Sequence, residues 1–209
     1  MIDFISTQFS YISFQLFLIS ILLFIIGYVV APTVYYKRID FLLAYPLWMA
    51  KKIEQWSKKE WNPYLLFAFI LLLNSVSLFA NLLSGIIPLL PFIFAIWTGL
   101  NVGVVSYHML KGQFYFASLF NPVALFELPA AFLAFTMAIQ YNLKQLPIEI
   151  VAFREAPFGQ YLFIFITIVL PLLLVAAIIE SWLIKVAQRM ERSNTGDENQ
   201  PDDNDKNGG

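Results

Sequence analysis

The chain has no cysteine, a single histidine and few charges, and each shortage removes a class of function. Without cysteine there is no disulfide framework, no thiolate metal site and no cysteine nucleophile. His108 alone cannot supply an HExxH zinc set, and no GxSxG elbow or glycine-rich phosphate loop accompanies it. At the end of its expected helix, His108 reads as an interfacial structural residue. Lys and Arg number 13 against 14 Asp and Glu, so no basic excess points to nucleic acid. Charged residues make up 13% of the chain, about half the share of an ordinary soluble domain. A chain of 209 residues has too much surface to be covered by so little charge, so its solvent is expected to be the lipid bilayer. No enzyme activity, metal or cofactor is expected.

What is present is apolar: 59% of residues are hydrophobic and 17% aromatic. About 20 apolar residues in a helix cross the hydrocarbon core. Phe4 to Tyr36 and Trp61 to Leu110 carry no charge, Gly112 to Leu143 only Glu127, and Ala156 to Ile184 only Glu180. The second stretch would form a helix of about 75 Å, so it must be broken, and Ser84, Gly85, Pro88 and Pro91 supply the break. The expected fold is all-α, a polytopic membrane bundle with helices near 14–36, 63–83, 90–110, 119–142 and 158–184. The runs lack the alternation of barrel strands. The first segment has no basic n-region and is expected to be retained.

Eleven of the 13 Lys and Arg residues fall on one side of this arrangement, leaving Lys144 and Arg154 on the other. By the positive-inside rule the N-terminus lies outside and the C-terminus in the cytoplasm of a multi-pass cell-membrane protein. Residues 38–60 carry Phe41, Leu42, Tyr45, Trp48, Met49, Ile53 and Trp56 at helical intervals among lysines, the pattern of an interfacial segment. The membrane domain is expected to span 1–188, and 189–209 to form a disordered acidic cytoplasmic tail.

An acidic side chain inside a span costs several kcal/mol unless it is paired, protonated or wet, so Glu127 and Glu180 need partners or a cavity. Asn121 followed by Pro122 reads as a helix cap, and Pro129 deprives the carbonyl of Leu125 of its donor. Ala130, Ala131, Ala134 and Ala138 share the face of Glu127, which therefore turns towards protein, with Phe132 towards lipid. Ala176 and Ala177 stand one turn before Glu180, in the same leaflet. If the two carboxylates meet, both cannot remain ionised. Asn74 and Asn101, at matching depth in the second and third helices, are expected to bond to each other, beside the close-packing pair Gly99 and Gly103.

At these residues the chain resembles the stage II sporulation protein M family of integral membrane proteins. Asn74, the break at Ser84 and Gly85, the run Thr98, Gly99 and Gly103, the segment PVALFELPA from Pro122 to Ala130, and AAIIE ending at Glu180 carry the likeness. Val123 and Ala124 stand where the family has the His and Gly of PHG, and Thr98 where it has the Asn of NG. The resemblance implies a scaffold without chemistry of its own, since the sporulation member anchors a peptidoglycan-degrading complex whose hydrolases are separate proteins. The first expectation is thus a non-enzymatic scaffold or anchoring subunit of an envelope-associated membrane complex, with protein partners in the membrane or further copies of itself. The second is a transport or channel component using the buried glutamates, which requires a path from water to them.

Overall fold

The computed structural model describes residues 7–57, 61–146 and 153–197. Among them there is no strand, and five helical stretches are long and apolar enough to cross a membrane: Phe14–Tyr36, Pro63–Ile86, Leu90–Met109, Ala124–Lys144 and Phe158–Met190. The protein is a polytopic bundle of membrane helices. The helices are α1 (Phe14–Tyr36), α2 (Asp40–Ser57), α3 (Pro63–Leu83), α4 (Leu90–Met109), α5 (Ala124–Lys144), α6 (Phe158–Ile164) and α7 (Leu170–Asp197). A π-helical turn, Phe165–Val169, joins α6 to α7 into one span. Pro171 follows directly and can donate no hydrogen bond to the carbonyl of Thr167, where a regular helix is hardest to sustain.

Polar residues start the helices where the sequence places them. The Ser13 hydroxyl accepts from the amide of Leu16, and Asn62 Oδ1 accepts from the amide of Tyr64 at 2.9 Å, with Pro63 in the first turn. Asn121 Oδ1 accepts from the amide of Ala124 at 2.8 Å, so the Asn-Pro cap forms at α5 as well. The expected start of this helix at 119 is too early. Residues Tyr115–Phe120 form a 3₁₀ segment instead, because a helix running through them would place Pro122 in its interior. The tail differs too, with α7 continuing as helix to Asp197 where disorder was expected from 189. Gln188, Arg189, Met190, Glu191 and Arg192 are good helix formers and extend a helix already nucleated in the span. Residues 58–60 of the connection and 198–209 of the tail lie outside the described residues.

Two contacts fix the packing. The first joins α1 to α4, which run parallel with their backbones touching. A Cβ on Gly27 would lie 1.9 Å from the carbonyl oxygen of Ile96, and one on Gly99 would lie 2.0 Å from that of Phe24. Gly103 lies against Tyr28 and Ala31 in the same seam. The second contact is the burial of α5 in the middle of the bundle, where every residue from 133 to 140 is buried among α1, α3 and the last span. Phe132 therefore does not face lipid. Its ring stands edge-on to Phe17 and Phe24, with centroids 6.2 and 5.4 Å apart.

The bundle has two distinct ends. At one, Gln140 accepts from the amide of Ser13 and donates to the carbonyl of Tyr11, and the Arg154 guanidinium covers the Tyr11 ring at 4.0 Å. At the other, Tyr35 and His108 share a hydrogen bond of 2.9 Å, the Tyr107 hydroxyl donates to that of Tyr36 at 2.6 Å, and Lys185 donates to the carbonyl of Trp61. Among the described residues Lys144 and Arg154 belong to the first end. Lys37, Arg38, Lys51, Lys52, Lys111, Lys185 and Arg189 belong to the second.

Candidate functional site

α4 follows α3 in the chain but packs chiefly on α1, because the glycine seam lets those two backbones meet. The displacement leaves space. A cavity of about 420 Å³ opens between α2, α3, α4, α5 and α7, towards the end of the bundle that carries most of the basic residues. Asn74 of α3, Asn101 of α4, Glu127 of α5 and Glu180 of α7 all line it. Four residues singled out separately by their polarity thus share one site.

Their pairing is not the one the sequence suggested. Asn74 and Asn101 do not bond to each other, since Asn101 Nδ2 donates at 2.6 Å to the carbonyl of Trp97, one turn back in its own helix. Asn101 Oδ1 is buried with no hydrogen-bond partner. The reason is the same glycine seam, which turns α4 away from α3. Glu127 and Glu180 are close enough for their charges to interact, and among the described residues neither carboxylate has a hydrogen-bond or ion-pair partner. Lys185 lies one turn beyond Glu180 but is engaged with Trp61. Among the described residues no Lys, Arg or His lines the cavity.

The amphipathic α2 contributes a wall. Pro46, Met49 and Ile53 reach the cavity, while Leu43 packs on Ala31, Val34, Leu100 and Val104. Phe41, Tyr45 and Trp48 keep large exposed faces. Part of the surface expected to meet the membrane interface is therefore spent on closing the polar site.

The expected packing residues are all buried: Gly99, Gly103, Ala130, Ala134, Ala138 and Ala176. Gly85 and Ala138, predicted for different roles, meet, since a Cβ on Gly85 would lie 2.6 Å from the carbonyl oxygen of Ala138. Sequence reasoning missed Gly27, the partner of Gly99, although it is the only glycine in α1. It also missed Asn142 and Gln145, which hold the loop between α3 and α4. Asn142 Nδ2 donates to the carbonyls of Gly85 and Ile87 at 3.1 and 2.8 Å, its Oδ1 accepts from the amide of Leu89 at 3.1 Å, and Gln145 donates to Gly85 at 3.0 Å. Their signal was a pair of amides bracketing Lys144 at a helix end, where broken backbone needs donors and acceptors.

A family model described as stage II sporulation protein M matches residues 13–183. The chain belongs to that family. No curated protein and no solved structure matches it. In this stage II sporulation protein M family member, the positions that carried the resemblance fall into two structural groups. Asn74, Thr98, Glu127 and Glu180 line the cavity, while Gly85, Gly99 and Gly103 lie where backbones touch. Among the described residues no group of three or more His, Asp or Glu is placed to hold a metal ion. What the cavity offers is two carboxylates, three asparagine side chains and hydroxyls set in apolar walls.

Proposed function

We propose that this chain is a non-enzymatic subunit of an envelope-associated membrane complex and that the acidic cavity is its working part, as in a transport or channel component. One observation carries this reading: Asn74, Asn101, Glu127 and Glu180 line a common space instead of being consumed in bonds between helices. Unpaired carboxylates within a span are expensive, and they are tolerated where they face water or a ligand. The scaffold reading keeps the support of family membership, with partners held by a bundle that the glycine seam makes rigid. The concentration of basic residues at the cavity end supports, by the positive-inside rule, a cytoplasmic position for that end in a cell-membrane protein.

Gln substitutions separate the two readings. Glu127→Gln and Glu180→Gln preserve shape and most hydrogen-bonding capacity but remove the charge. A transport component should show flux of protons or cations in reconstituted vesicles that is lost in both variants while the helices stay assembled. A scaffold should show no such flux and should retain its co-purifying partners in both variants.

A further inference from the structure

The cavity carries charge of one sign. Among the described residues Glu127 and Glu180 have no hydrogen-bond or ion-pair partner, and none of the lining residues is cationic. Asn74, Ser77 and Thr98 add groups that can donate or accept. The occupant that answers the two carboxylates brings positive charge and N–H donors, which describes a protonated amine.

Size and wall chemistry narrow the class. A volume of about 420 Å³ belongs with small-molecule sites, which run from about 300 to 1,000 Å³ and combine apolar walls with a few polar groups. A dehydrated inorganic cation would fill a small fraction of it, and among the described residues no third His, Asp or Glu stands with the two glutamates to complete a metal ligand set. Pro46, Met49 and Ile53 from α2 and Leu128 from α5 give the rest of the wall an apolar character. We propose that the cavity binds an organic ammonium ion, its charged nitrogen held by Glu127 and Glu180 and its carbon skeleton lying against α2. The proposal rests on the reading of the cavity as the working part of the protein and names the ligand class of that site.

The experiment uses the full chain in lipid nanodiscs. The probes are methyl-, butyl- and hexylammonium chloride, with sodium chloride at equal ionic strength as reference, followed by calorimetric titration and by the thermal midpoint. Binding should tighten about fourfold per added methylene where the chain meets apolar wall. Glu127→Gln and Glu180→Gln should each weaken it at least tenfold. Glu127→Asp, which keeps the charge but draws it back by one carbon, serves as the second variant should a Gln variant fail to fold, and should also weaken it. Met49→Ala should flatten the chain-length dependence while leaving methylammonium binding in place. Equal responses to sodium and to the amines, or amine binding unchanged in the glutamate variants, would overturn the assignment. Specific amine binding without flux would leave this inference standing and remove the transport reading. Proton or sodium flux with no amine binding would do the reverse.

Discussion

Asn142→Leu should damage the bundle more than its position near a helix end suggests. Asn142 is 1% exposed, and its side chain makes three bonds to the backbone of the loop that turns α3 into α4. Leucine keeps the branching at Cγ and is larger, so no cavity is left and the cost is one of unsatisfied groups, with overpacking adding to it. The carbonyl of Gly85 keeps a donor in Gln145 and that of Ile87 keeps the amide of Leu90, which leaves the amide of Leu89 without a partner. A buried orphan of this kind costs about 1–3 kcal/mol. The side chain of Leu89 is exposed, so water or headgroups reach the loop, and the loss should fall in the lower part of that range, about 1–2 kcal/mol. Leu89 holds a left-handed backbone, φ 64°, a conformation that costs a non-glycine residue about 1–2 kcal/mol. Leu89→Gly removes that strain, so it should be neutral or stabilising alone and should reduce the loss in the Asn142→Leu background. The assay is reversible unfolding in mixed micelles, followed by helicity, with the exposed Ile178→Ala as control. A loss below about 0.5 kcal/mol, the range of ordinary surface changes, would refute the idea that Asn142 holds the break.

Other changes test the packing and the topology. Gly99→Leu should separate α1 from α4, because the first added carbon already meets the carbonyl of Phe24 at 2.0 Å. Its detergent stability should fall well below that of Leu125→Ala, a change at a position 63% exposed; equal stability would mean that the seam is not close-packed. Ala134→Leu should cost about 1–3 kcal/mol by overpacking the centre of α5, and Phe132→Leu should also destabilise, through the loss of its edge-on contacts with Phe17 and Phe24, as measured in the same unfolding assay. In this cysteine-free chain, a cysteine placed at Lys52 should be labelled by an impermeant reagent only from the cytoplasmic side and one at Lys144 only from outside. Reversed labelling would invert the orientation and leave the five-helix arrangement intact.

The spans were legible because the signal is long-range and redundant: stretches free of charge, interrupted by basic blocks, admit few divisions in lipid. The cap at Asn121 was equally local, since an Asn-Pro pair places an acceptor and a missing donor where a helix begins; the same pair at Asn62 and Pro63 was overlooked. The orientation of each residue around its helix was harder to read. The alanine face of α5 gave the correct side for Ala134 and Ala138, but Phe132 looked lipid-facing because a sequence does not say which helix stands in the middle. The middle of this helix, 133–140, is covered on all sides, so the apolar residues there, unlike Leu125 near its start, carry no outward face.

The sequence by itself determined that the chain lives in lipid, crosses it with about five helices, carries most of its basic residues at one end and holds two glutamates and two asparagines where polar groups are costly. These follow from composition and spacing, which act through the solvent and the local backbone. Only the tertiary structure decided what those four residues do together. The seam of Gly27, Gly99 and Gly103 draws α4 onto α1 and away from its neighbour in sequence, which prevents the bond between Asn74 and Asn101. Both asparagines and both glutamates then face a space closed by α2. Contact between backbones far apart in the chain made that choice, and its energy depends on the fit of one helix surface against another, a quantity that no single stretch of residues contains.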